Sequence, residues 1–270
     1  MYRKEDFTVT IPSREYLTKS ELISKLGFVC RNLDDECADY WTSTPSYTSN
    51  DTAYGFRVTE NGELEHSDVH DLYGVRPIII ADNLEEIVKS EPLHLYRKGF
   101  PMIEFGRWYK PSPLTVSDLM PLKIRGMSYQ FNNHIVGAEV ETDSELYALF
   151  SDKLYSVVPV NWYYDEENKL LLSEKALFNA PLISEDNSYY NDFENTDLYK
   201  ALNDEFLSSL LEGANRDEAE KEGKEELIRQ INELLEENER LKAENENLHL
   251  VFEKLKKASA DKSKVLKIIK

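Results

Sequence analysis

From residue 212 onward the chain turns abruptly to Glu, Lys, Asn and Leu, with no further Pro and a last Gly at Gly223. A seven-residue repeat is legible there. With Ile231 at position a, Leu227, Leu234, Leu241, Leu248 and Leu255 fall at d, and Asn238, Asn245 and Phe252 at the later a positions. Apolar residues spaced at 3.5 form a seam too narrow for a helix that beds down on its own domain, and they ask for a second helix. Leu at d with Asn at a favours two parallel strands, because facing Asn side chains hydrogen-bond across a dimer. Each such Asn fixes register and strand number while lowering stability. The charges agree, with Glu237 at g facing Lys242 at e of a partner and Glu244 facing His249, each pair contributing at most about 0.5 kcal/mol when exposed. A homodimer through residues 212–258 is the expectation. A basic tail, 259–270, follows, read either as a frayed terminus or as a docking peptide for an acidic surface.

The globular part is organised around 40–80. Tyr40-Trp41-Thr42-Ser43-Thr44-Pro45 opens this stretch and Tyr73-Gly74-Val75-Arg76-Pro77-Ile78-Ile79-Ile80 closes it. Between them, 53–59 and 63–69 read as strands joined at Glu60-Asn61-Gly62, where Asn-Gly supplies the positive backbone angles of a tight hairpin. Val75–Ile80 reads as a buried strand, with Pro77 placing it at an edge or bulge. Arg76 is out of place in such a run and must reach water or pair its donors.

These motifs resemble the C-terminal half of domains with the formylglycine-generating-enzyme-like variant of the C-type lectin fold, found in bacterial and phage proteins. Thr10–Leu17 and the helix after it fit the same family. Met102–Tyr109, Pro159–Tyr164 and Lys169–Glu174 resemble the strands that open such a domain, and Asp197–Leu207 the helix preceding its Trp segment. The halves therefore stand in reverse order. Either one domain is circularly permuted, with 1–97 and 98–211 completing each other, or two copies have each lost a half. The first is preferred, since each piece alone has few strands to bury. Residues 114–155 are an insertion relative to the family pattern. The expected class is thus α+β: a C-type-lectin-like mixed head with short helices, then a long parallel coiled-coil helix.

Taken in order, Phe7–Ile11 reads as an edge strand. Thr18–Leu26 reads as a helix capped by Thr18 and ended by Gly27, and Asp82–Ser90 as a helix with Leu84, Ile87 and Val88 inward. Lys123–Met127 and Ile135–Glu141 read as strands, and Ser144–Leu154 as a helix. The loops 43–51 and 187–193 are rich in Tyr, Ser and Asn, the composition of recognition surfaces. Trp41, Tyr47, Tyr54, Arg57, Tyr189 and Tyr190 are accordingly the candidates for contact with a partner; the competing reading for Trp41 and Tyr54 is a place in a β-rich core. His66 and His70 fall in a strand and turn and read as solvated polar residues.

The net charge of −19 over 270 residues disfavours attraction to nucleic acid or anionic lipid. No apolar run is long enough to span a bilayer, and the first residues lack the apolar core of a secretory signal, so a cytoplasmic location is expected, the host cytoplasm if a phage encodes the chain. No phosphate loop, nucleophile elbow or zinc helix is present, and no cofactor or metal is expected. The resemblance raises one enzymatic alternative, a copper oxidase holding its metal with Cys30 and Cys37; two reduced thiols is the competing reading. The expected function is recognition without catalysis: a head that binds a protein partner, doubled by the coil. A second alternative is an acidic inhibitor mimicking nucleic acid toward a host defence factor.

Overall fold

The structure is a computed structural model and describes residues 2–46, 53–90, 95–97, 99–111, 123–131, 134–142, 145–150, 153–184 and 192–268. The chain is mixed α+β with several sheets and a long C-terminal helix, and the arrangement is not clearly that of a C-type lectin. It divides into two units, Met1–Asp217 and Glu218–Lys270.

The first unit holds two large sheets. In the nine-stranded sheet, β1 (Phe7–Thr10) is the edge, followed by β8 (Ile78–Ala81), β15 (Leu170–Ser173), β14 (Lys153–Asp165), β13 (Glu145–Phe150), β12 (His134–Thr142) and β11 (Lys123–Phe131). The long strand β14 is the hub. Along one side it carries β10 (Phe100–Pro111), which in turn pairs with β9 (Leu95–Arg97). On the other side β13 pairs with its start and β15 with its end. The five-stranded sheet runs β16 (Phe178–Ala180), β7 (Tyr73–Val75), β4 (Tyr40–Ser46), β5 (Tyr54–Val58), β6 (Leu64–Asp68), antiparallel except between β4 and β7. A two-stranded ladder joins β2 (Cys30–Arg31) to β3 (Cys37–Ala38).

The Asn-Gly hairpin forms between β5 and β6, with Gly62 at φ +84°. The apolar run after Tyr73 is not one strand. Its β-branched residues belong to two sheets, β7 in the smaller and β8 in the larger, and Arg76-Pro77 carries the chain between them. Proline, unable to donate to a ladder, suits the place where the ladder stops.

The first helical segment also divides. Ser13 caps α1 (Arg14–Lys19) through Tyr16 N, and Ser20 caps α2 (Glu21–Leu26) through Ile23 N. Thr18 is therefore no cap; its hydroxyl donates back to Arg14 O at 2.9 Å inside α1. Gly27 ends α2 at φ +85°. At this junction the buried Asp165 carboxylate accepts from Tyr16 Oη at 2.8 Å, Ser20 Oγ at 2.9 Å and Asn168 N at 3.0 Å. Helix α3 (Leu84–Ser90) buries Leu84, Ile87 and Val88. Residues 145–150, read from sequence as helical, pair in register with both β12 and β14, and tertiary pairing overrides a local pattern that fitted either period.

After Thr196, which caps α4 (Asp197–Ala201), a π-helical turn Leu202–Phe206 leads into α5 (Leu207–Ile268). Within the first unit the start of α5 packs very closely on β10. Gly106, at φ +70° in a bulge of β10, would drive a Cβ to 2.6 Å from Leu210 O, and a Cβ on Gly213 would lie 2.8 Å from Arg107 N. Arg107 Nε donates to Asp217 Oδ1 at 2.8 Å. Asn203 finishes the edge at β1, its amide donating to Val9 O and accepting from Val9 N, both at 2.8 Å, and Asn215 binds the backbone of Tyr2 outside the sheet in the same way. A carboxamide presents the donor and acceptor of a neighbouring strand, which leaves fewer backbone groups open at the edge.

Candidate functional site

The predicted contact residues do not gather on one surface. Trp41 is fully buried; its indole N–H donates to Ala180 O at 2.9 Å and its ring stands edge-on to Tyr73 at 4.9 Å. It is a core residue that ties β4 to β16, and the reason is chemical: the ring has a full apolar enclosure and a carbonyl for its one donor. Tyr54 is half-buried, edge-on to His66. Arg57 is committed within its own sheet, paired to Asp39 and to Glu65 (2.9 Å), with its guanidinium 4.5 Å from the Tyr73 ring centroid. Tyr47, Tyr189 and Tyr190 lie outside the described residues. His66 and His70 are exposed, and His70 Nδ1 lies 3.0 Å from Ile183 O.

The two cysteines are free, Cys30 buried and Cys37 exposed. In their ladder Cys30 faces Ala38 and Cys37 faces Arg31. Side chains alternate faces along a strand, so the thiols project from opposite faces and are not placed to share a metal. Among the described residues no group of three or more His, Cys, Asp or Glu is arranged to hold a metal ion.

Two features stand out instead. The first is the seam of the second unit. Leu227, Ile228, Ile231, Leu234 and Leu241 are 47–69% exposed on α5. Asn238 is exposed beside them, whereas the side chains of Asn245, Leu248, Phe252 and Leu255 lie outside the described residues. Along the same helix Arg229 pairs with Glu226 and Glu233, and Arg240 with Glu237, so local ion pairs solubilise the flanks while the apolar row is left uncovered.

The second feature is a depression of about 770 Å³ on the first unit. All three residues of β16, an edge strand, line it, opposite Leu198, Lys200 and Asp204. Leu72, 67% exposed, also lines it, and Asp197 and Glu205 add carboxylates to the wall, while Asp204 is paired to Lys4 Nζ at 3.0 Å. Ser184 N and Oγ donate to Asp197 Oδ2 at 2.9 and 2.7 Å, which holds the Asp197 carboxyl below its ordinary pKa. Sequence reading missed this depression because its sides come from residue 72 and from 178–205, far apart in the chain.

Comparison of the chain with family models, with curated proteins and with solved structures finds no match. No helix among the described residues is long and apolar enough to cross a membrane.

Proposed function

We propose that this chain is a dimeric recognition protein, in which a C-terminal parallel coiled coil pairs two copies and each head binds a protein partner without catalysing a reaction. The observation that carries this reading is the row of heptad-spaced apolar side chains Leu227, Ile231, Leu234 and Leu241, 47–69% exposed, on the C-terminal helix. An isolated, largely polar helix with such a row gains little by standing alone; a second copy supplies an identical seam, Asn at a favours parallel strands in register, and the g and e charges are complementary. The occupant of the head is taken to be an extended segment carrying Lys or Arg between apolar residues. It would add to the open side of β16, set an apolar side chain against Leu72 and Phe178, and meet the carboxylates of Asp197, Asp204 and Glu205.

The test uses immobilised peptides of alternating basic and apolar residues, the full chain, and a full-length L234E/L241E form. Both should capture the same peptides. The intact chain should dissociate more slowly from a dense surface because two heads engage at once, and L72D should weaken capture by both. Loss of capture on breaking the seam alone would shift recognition to the coil and overturn the assignment to the head.

A further inference from the structure

Arg76 carries a charge that its surroundings do not answer. It is 2% exposed between β7 and β8, its Nε donates to Ser173 O at 3.0 Å, and its guanidinium lies 5.6 Å from the Tyr40 ring centroid. Nη1 is buried and has no hydrogen-bond partner, and among the described residues no carboxylate forms an ion pair with this side chain. Tyr40 does not supply the missing charge. Burial pushes its phenol up to about 12 despite the neighbouring arginine, so it is neutral at pH 7, and its hydroxyl already donates to Phe28 O at 2.8 Å. An arginine cannot shed its proton to escape, so an uncompensated guanidinium is a standing cost to the fold.

Arg76 lines a cavity of about 200 Å³ together with Cys30, Arg31, Asp35, Glu174 and Lys175. Both carboxylates there are engaged. Lys175 Nζ lies 2.7 Å from Asp35 Oδ1, and Asn161 Nδ2 donates to Glu174 Oε2 at 3.3 Å. Arg31 Nη1 donates to the Asp35 carbonyl. Three cations therefore stand against two carboxylates at this place, in a chain whose net charge is −19. The Asp35 side chain is 71% exposed and Lys175 25%, so their pair lies toward solvent while Arg76 lies deep.

We propose that this cavity binds a small carboxylate, one oxygen of which meets the guanidinium of Arg76 where it lines the cavity while Lys175, exchanged from Asp35, or Arg31 meets the other. A singly charged, planar, two-oxygen group matches a guanidinium fork and one excess positive charge better than a phosphate, which carries nearly two charges. The volume equals roughly six or seven waters, room for a carboxylate with a short chain behind it. Two sources share this chemistry, a free small organic acid and the terminal carboxylate of a peptide. This site is separate from the depression beside β16, and its test does not depend on that reading.

Sodium acetate is titrated into the full chain at constant ionic strength while the Arg76 side-chain resonances are followed by NMR, with sodium chloride, acetamide and inorganic phosphate as parallel titrants. Acetate should shift these signals saturably and acetamide should not, and R76M, which keeps an apolar side chain of similar length, should weaken binding at least roughly tenfold, the scale of one charge-assisted hydrogen bond. A response that chloride reproduces, or that phosphate saturates at lower concentration, would overturn the proposal. If R76M does not fold, the wild-type resonances still decide, because they report from the residue itself. A short peptide with a free C-terminus that binds more tightly than acetate, while its amide does not bind, would assign a chain terminus; acetate binding with no gain from the peptide would assign a free acid.

Discussion

The two units answer the same problem, the burial of apolar side chains, in opposite ways. In the first, Trp41, Trp162, Phe105, Phe206 and their neighbours lie in one continuous core, in which the indoles of Trp41 and Trp162 each find a carbonyl, Trp162 Nε1 donating to Phe105 O at 2.8 Å. In the second, Leu227, Ile231, Leu234 and Leu241 are about half exposed or more on a helix whose other described surface is, apart from Ile228, mostly polar or charged. A core that closes on itself specifies a fold from one chain. In the reading proposed above, the open seam is buried by a second chain, and the assembly rather than the single chain is what it specifies. The contrast predicts that changes in the first unit alter stability without altering the number of chains, and that changes in the seam do the reverse.

The largest effect on the head should come from Trp41→Ala, at about 4 kcal/mol, because it removes a fully buried indole and leaves Ala180 O without its donor. Chemical denaturation followed by the fluorescence of the remaining tryptophans would read this, and a loss below about 1 kcal/mol would put Trp41 back among surface residues. Gly106→Ala should cost about 3 kcal/mol, combining a positive φ with a Cβ driven toward the Leu210 carbonyl. The same denaturation, paired with a mass measurement, should show this loss at unchanged subunit number. Asn203→Ala should cost about 2 kcal/mol, since it strips partners from both Val9 N and Val9 O, and amide exchange at Val9 should quicken.

The smallest expected effect is one of pH. The Ser184 bonds hold Asp197 below the ordinary carboxylate pKa in the folded state, so this stabilisation is present above the unfolded value and is lost as pH falls through the lowered one. Thermal unfolding between about pH 5 and pH 2 should therefore show a shallower decline for Asp197→Asn than for the native chain, and identical slopes would contradict the assignment.

Part of the fold was legible in the residues. Asn61-Gly62 announced the β5–β6 hairpin, and Leu84, Ile87 and Val88 announced α3. Each is a local signal, complete within a dozen residues. What failed needed partners from elsewhere. Glu145–Phe150 reads as a helix until β12 and β14 take it as a strand, and Thr18 reads as a cap until Ser13 and Ser20 divide its helix in two. Trp41 carries the same letters whether it meets solvent or the Ala180 carbonyl. Arg76 was marked by its apolar neighbours, but the cavity beside it draws on β2, β14 and the residues after β15, and no stretch of sequence displays that meeting.

The central claim is that the open seam is closed by a second copy. Light scattering on the full chain at micromolar concentration measures this most directly, with L234E/L241E beside it. The account predicts twice the 31.4 kDa of one chain for the native protein and a single chain for the variant, with the head unfolding at the same denaturant concentration in both. A native protein that scatters as one chain, or a variant that keeps the mass of two, would contradict it.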